Sequence, residues 1–112
     1  MEMTKVFNDI FQFAVNVNER SKDCWHPETK TCIDVYFFGA EKNLPTWMQV
    51  DVYSVGKATT KWPTAKFILS SKKPYAEMME GISEGKKPKE IKIESVINEI
   101  KKIIGEIEEE ED

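Results

Sequence analysis

The sequence predicts an α+β fold: an N-terminal helix, a three-stranded antiparallel meander and two C-terminal helices, stacked as a two-layer sandwich. Three observations carry this reading. Apolar residues recur at helical spacing over residues 4–20, and they alternate with polar ones in three short runs between residues 31 and 71. After Ile93 they return to a four-three repeat. Three strands expose an apolar face that must be covered, and the two terminal helices supply the cover.

Each element follows from local spacing. Phe7, Ile10, Phe11, Ala14 and Val17 share one helical face, which predicts a helix from Thr4 to Arg20 with Thr4 as its N-cap. Phe11, Phe13, Val15 and Val17 also alternate as a strand would, but the helical template covers more of the segment. "SKDCWHPETK", residues 21–30, is polar, contains Pro27 and reads as a loop. "TCIDVYFFG" then sets Ile33, Val35 and Phe37 on one face, "WMQVDVYSVG" sets Met48, Val50 and Val52, and "TAKFILSS" sets Ala65, Phe67 and Leu69. The linkers between these strands carry Pro45 and Pro63, as turns between antiparallel neighbours do.

Beyond Pro74 the expectation returns to helix. Tyr75, Met78, Met79 and Ile82 share a helical face that Gly85 ends, and "KKPKE" follows as a basic linker. The final helix is marked by Ile93, Ile97, Ile100, Ile104 and Ile107, flanked by Val96 and Ile103, with Ser95 as a cap. Gly105 weakens its last turn by about 1 kcal/mol relative to alanine. The stripe spans about two heptads, short of a secure coiled-coil seam, and its width suits a helix laid on a sheet. A homodimer through this helix is the secondary reading. Residues 1–112 read as a single domain with a frayed acidic tail over 106–112.

Composition bounds the rest. With 112 residues, 40% of them hydrophobic, the chain can bury a core without disulfide support. No apolar run approaches the ~20 residues that span a bilayer, and no basic-then-apolar leader opens the chain, so the expectation is a soluble, cytoplasmic protein. The net charge of −4 is unevenly spread. Residues 57–92 hold nine lysines against four glutamates, whereas residues 93–112 hold two lysines against eight acids. Such segregation shapes partner choice and association rate rather than fold.

The acid-free stretch around "KATTKWPTAKF" is the foremost candidate surface. Lys57, Lys61, Lys66, Lys72 and Lys73 surround Trp62, Phe67 and Tyr75, a composition that can hold phosphates and stack bases. Against nucleic acid stand the acidic total and the single arginine, Arg20, which leaves little bidentate recognition. Contact with a protein is the preferred reading, and a nucleic-acid accessory role is the alternative. Trp47, at the head of its strand, is a second aromatic candidate, placed at the opposite end of the middle strand from Trp62.

Chemistry-bearing groups are sparse. Cys24, His26 and Cys32 could supply three zinc ligands, but Cys24-x-His26 is too tight for easy chelation of one tetrahedral ion. The expectation is therefore no metal, no cofactor and no enzymatic activity. Asp34 and Asp51 are expected on neighbouring strands and on the same, less apolar face, where mutual repulsion would raise one of their pKa values. Lys66, on the third strand, is expected to balance them.

Over residues 4–57, the N-terminal helix followed by "VYFFGAEKNLPTWMQVDVYSVGK" resembles small uncharacterised proteins encoded by bacteriophages and prophages. The shared features are a first strand ending in aromatic–small–Gly and a second reading like "VDVYSVG"; the chain departs from the pattern after "YFFGA". The resemblance implies a phage or mobile-element origin and carries over no catalytic residue. Together with the charge layout it leads to the expectation of a non-enzymatic inhibitor, anti-CRISPR-like, that occludes a host enzyme or defence component. In that reading the acidic tail mimics phosphates.

Overall fold

The computed structural model describes residues 3–20, 31–39, 45–54, 63–80 and 87–105. Helix α1 (Met3–Arg20) leads into strands β1 (Cys32–Phe38), β2 (Trp47–Tyr53), β3 (Ala65–Ser70), β4 (Tyr75–Glu80) and β5 (Lys89–Lys92). A 3₁₀ turn (Ile93–Ser95) and helix α2 (Val96–Ile103) complete the order. The fold is α+β, with five strands lying side by side in chain order and every neighbour antiparallel. Cys24, His26, Lys57, Lys61, Trp62 and the acidic tail lie outside the described residues.

Among the described residues the meander has five strands rather than three, and one α-helix follows it rather than two. Residues 75–82 carry a helical pattern, but they also alternate: Ala76 and Met78 are buried, while Tyr75 and Glu80 are exposed. Six residues are too few for a self-supporting helix, whereas a strand of that length is ordinary. The preceding turn decides the matter. Lys73 N–H donates to the Ser70 carbonyl (3.4 Å) and Lys72 N–H to Ser70 Oγ (3.2 Å), folding the chain back beside β3. Met78 then stands opposite Phe67, and Ala76 opposite Leu69. The "KKPKE" stretch likewise enters a strand, because Ile91 adds its side chain to the core opposite Ala76 while Lys89, Glu90 and Lys92 stay exposed.

One face of the sheet holds the core. Across it run Ile33, Val52 and Ala65, then Val35, Val50, Phe67 and Met78, then Met48, Leu69, Ala76 and Ile91. Both helices lie on this face: Phe7, Ile10, Ala14 and Val17 of α1 and Val96 and Ile100 of α2 join the same buried cluster. The isoleucine stripe is thus largely spent on the core, with Ile97, Ile103 and Ile104 packed at its margin. The Lys101 ammonium lies 5.9 Å from the centre of the Phe13 ring, tying α2 to α1. Among the described residues, no helix is long and apolar enough to cross a membrane.

The helix ends differ in detail from expectation. α1 begins at Met3, so Thr4 lies in its first turn. Ser95 occupies the N-cap position of α2 but makes no side-chain cap bond; the Val96 N–H bonds the Ile93 carbonyl of the 3₁₀ turn instead. Gly105 ends the helix rather than weakening it from within. It adopts a left-handed φ of 81° and donates its N–H to the Lys102 carbonyl.

β1 is one edge of the sheet, and a side chain closes part of it. The Asn18 amide donates from Nδ2 to the Ile33 carbonyl (2.6 Å) and accepts at Oδ1 from the Ile33 N–H (2.7 Å). A single amide thereby imitates one residue of a sixth strand. We predict that Asn18→Ala strands both Ile33 groups and lowers stability by about 1–2 kcal/mol. A fall in the urea midpoint, with faster exchange of the Ile33 amide proton, is the expected result.

Candidate partner-binding face

Because the side-chain period of a strand is two, the face opposite the core is fixed by the same register. Its end row runs from Phe38 to Trp47 to Ser70, with Tyr75 and Lys92 completing it on β4 and β5. The next row is Tyr36, Gln49, Ile68, Glu77 and Glu90, and beyond it lie Asp34, Asp51, Lys66 and Met79. Both helices cover the other side, and among the described residues no further element lies on this face. Aromatic rings occupy one end of it and charged groups the middle.

The exposed large hydrophobic side chains gather at that aromatic end. Phe38, Trp47, Tyr75, Tyr36, Phe37 and Phe11 are each between 41% and 52% exposed. Phe38 and Trp47 are direct cross-strand neighbours. Phe37 points to the helix side and meets Phe11 of α1, ring centres 6.1 Å apart and planes tilted by 45°. Trp47 is therefore where the sequence placed it, at the head of its strand and exposed. Phe11 and Phe37 are not, since both were expected in the core. The reason is that β1 is the last strand on its side, so neighbours cover Phe37 incompletely. Phe11 follows Ile10 by one residue, or about 100° around the helix, which turns it to the flank. The signal for an exposed corner was present in "YFF": three consecutive aromatics cannot all face one side of a strand.

Of the expected basic surface, Lys66, Lys72 and Lys73 are among the described residues, and these three do not sit together. Lys72 and Lys73 are exposed at the β3–β4 turn, at the same end as Trp47, whose neighbour Thr46 accepts a bond from Ser71 N–H (3.0 Å). Lys66 lies half-buried near the other end of β3, opposite Asp51. Cys32 is half-buried as the first residue of β1, opposite Tyr53.

The charged centre is as the sequence suggests: Asp34 opposite Asp51, and Asp51 opposite Lys66. Asp51 is only 7% exposed and accepts a hydrogen bond from Gln49 Nε2 (3.0 Å). Burial, and next the Asp51 charge, push the Asp34 carboxyl above its ordinary 3.8; the hydrogen bond it accepts from the Tyr36 hydroxyl offsets part of this. Burial, with the two aspartates behind it, also raises the phenols, Tyr53 to about 12, so both remain hydrogen-bond donors at neutral pH. The arrangement is a hydrogen-bonded polar island beside an aromatic rim.

A pH dependence follows. Between 3.8 and its raised value, Asp34 keeps in the folded chain a proton that the unfolded chain has released. Its contribution to stability therefore falls as pH rises through that window. Asp34→Asn should gain about 0.5 kcal/mol at pH 7, a small figure because solvent screens an exposed carboxylate, and nothing near pH 3. Denaturant titrations of both proteins at the two pH values test this; an equal gain at both would refute the repulsion. No protein-family model, curated protein or solved structure matches the chain.

Proposed function

We propose that this chain is a non-enzymatic protein-binding module whose contact surface is the aromatic end of the open sheet face. The observation that supports this most directly is the row of Phe38, Trp47 and Tyr75, each about half exposed on one surface. Leaving such rings in water is costly, and aromatic side chains dominate the binding energy of protein interfaces. Around them stand Lys72, Lys73, Lys92, Glu77 and Glu90, a mixed-charge surround of the kind that rims an apolar contact. Under this reading the chain acts by covering a partner's surface rather than by chemistry. The phage-protein resemblance adds that the partner is a host enzyme or defence component.

The same face argues against nucleic acid as the first choice. Asp34, Asp51, Glu77 and Glu90 share it with the rings, and their charges oppose a phosphate backbone. Lys66, the half-buried member of the basic set, lies beside two of those acids.

The test compares the wild type with a Phe38→Ser, Trp47→Ser double variant as baits for bacterial lysate at low and high salt. We expect the wild type to retain a defined protein at both salt concentrations. The variant should lose it by at least tenfold, matching an interface anchor worth about 2 kcal/mol or more. Equal retention by both baits, or capture of nucleic acid that vanishes with salt, would defeat the proposal.

A further inference from the structure

The outer edge of β1 carries an instruction of its own. Asn18 bonds both backbone groups of Ile33, which shows that the N–H and C=O of Ile33 point away from β2. In an antiparallel pair the residues that bond a given neighbour alternate, so Val35 and Phe37 point their backbone groups outward as well. Among the described residues, nothing bonds them on that side. The opposite edge of the sheet is different. β5 is only four residues long and displays Lys89 and Lys92, the short and charged form that deters strand addition. The β1 edge shows aromatic rings instead, and no charge from Val35 to Gly39.

We infer that β1 pairs with β1 of a second copy, antiparallel, with Val35 of each copy opposite Phe37 of the other. The register is set by elimination. Centring the pair on Val35 would set Phe37 against Ile33, whose groups Asn18 already holds. Centring it on Phe37 would set Val35 against Gly39, where a φ of 69° has left the strand conformation. Centring it on Tyr36 matches the two open residues to each other and sets the obstructed Ile33 against Gly39, so neither open residue faces an obstacle.

Side chains agree with that register. Along the β1 edge lies a groove of about 360 Å³, with Phe11, Ala14, Val15, Ile33 and Val35 on its helix side and Asn18, Asp34 and Tyr36 as its polar lining. The pairing brings Phe37 of the second copy next to Val35, at the mouth of this groove, in an aromatic–β-branched cross-strand contact. On the open face Tyr36 meets its own copy, and Asp34 falls opposite Phe38 rather than another Asp34. Charge favours a second copy here. A chain of net charge −4 repels itself over most of its surface, but the β1 edge from Val35 to Gly39 and the adjoining Phe11, Val15 and Asn18 of α1 carry no charge, and the pairing keeps the two Asp34 carboxylates from facing each other. The helix α2 is the poorer dimer seam, since Val96 and Ile100 are already fully buried. The pairing is made through the β1 edge; of the partner-binding row it reaches Phe38 and leaves Trp47 and Tyr75, on β2 and β4, untouched.

Sedimentation of the full chain across a concentration series tests the inference. The wild type should approach twice the 13.0 kDa chain mass as concentration rises to about 100 µM, the range of a small interface. Exchange of the Val35 and Phe37 amide protons should slow over the same series. Val35→Pro removes an outward N–H without touching the β1–β2 ladder, and Phe37→Lys places a charge at the groove. Both should stay monomeric with unchanged secondary structure by circular dichroism, while Trp47→Ser should still dimerise. A wild type that stays monomeric throughout overturns the pairing, as does a dimer that survives both edge substitutions. A monomeric wild type whose lysate partner is lost on Val35→Pro would give the edge to a foreign strand, and would equally overturn it. The partner-binding proposal is judged separately, by the lysate retention of Trp47→Ser, a residue of β2 outside the pairing.

Discussion

Everything in this molecule depends on the antiparallel register that brings Val35, Val50, Phe67 and Met78 into one line across the sheet. Val50 and Phe67 are wholly buried, and the rows on either side repeat the pattern. That line must be covered, and α1 and α2 bring Ile10, Ala14, Val96 and Ile100 to the same cluster. Both described helices are committed to that one face, so among the described residues the other face receives no helix as a consequence of the core rather than of a separate design.

The open face in turn divides into two territories. Where the strands cross near their middles, polar groups satisfy one another: Gln49 with Asp51, and Tyr36 with Asp34. Where β1 ends and β2 begins, the rings have no such partners among the described residues and stand about half exposed. Apolar area that the fold leaves uncovered is area that association can still remove from water, at roughly 25 cal/mol per Å². This separation of a satisfied centre from an unsatisfied rim makes a binding role the economical explanation of the surface.

Much of this was legible in the sequence, for reasons that can be named. The α1 stripe, the alternation in β1, β2 and β3 and the opposition of Asp34 to Asp51 all rest on periodicities that tertiary context reinforced. β4 was hidden because its spacing fits two templates, and β5 because "KKPKE" reads as a basic linker and Ile91 is the one apolar residue of the four-residue strand. Tyr75, Met78 and Met79 satisfy a helix, and the turn at Lys72–Lys73, together with pairing to β3, overrode it. The candidate face was half visible. Trp47 stood out as a large ring at a strand start, whereas Phe11 and Phe37 are apolar residues on apolar faces. Their exposure follows from β1 lying at the edge, a fact of topology that no single segment encodes. The Asn18 clasp could not be read at all, since it joins residues 15 apart in sequence through an amide with no local signature.

Asp51 has a consequence that reaches back to folding. It sits in the alternation of "MQVDV", residues 48–52, between Val50 and Val52, both wholly buried, and it faces the other way. If β2 slipped by one residue against its neighbours, every side chain would change faces, and this carboxylate would be driven into the core between the helices and the sheet. Without a partner there, an ionised group costs several kcal/mol, a large share of a small domain's total stability. The aspartate thus acts as a proofreading mark: its presence makes the misaligned sheet more expensive than the native one, whatever else it does on the open face.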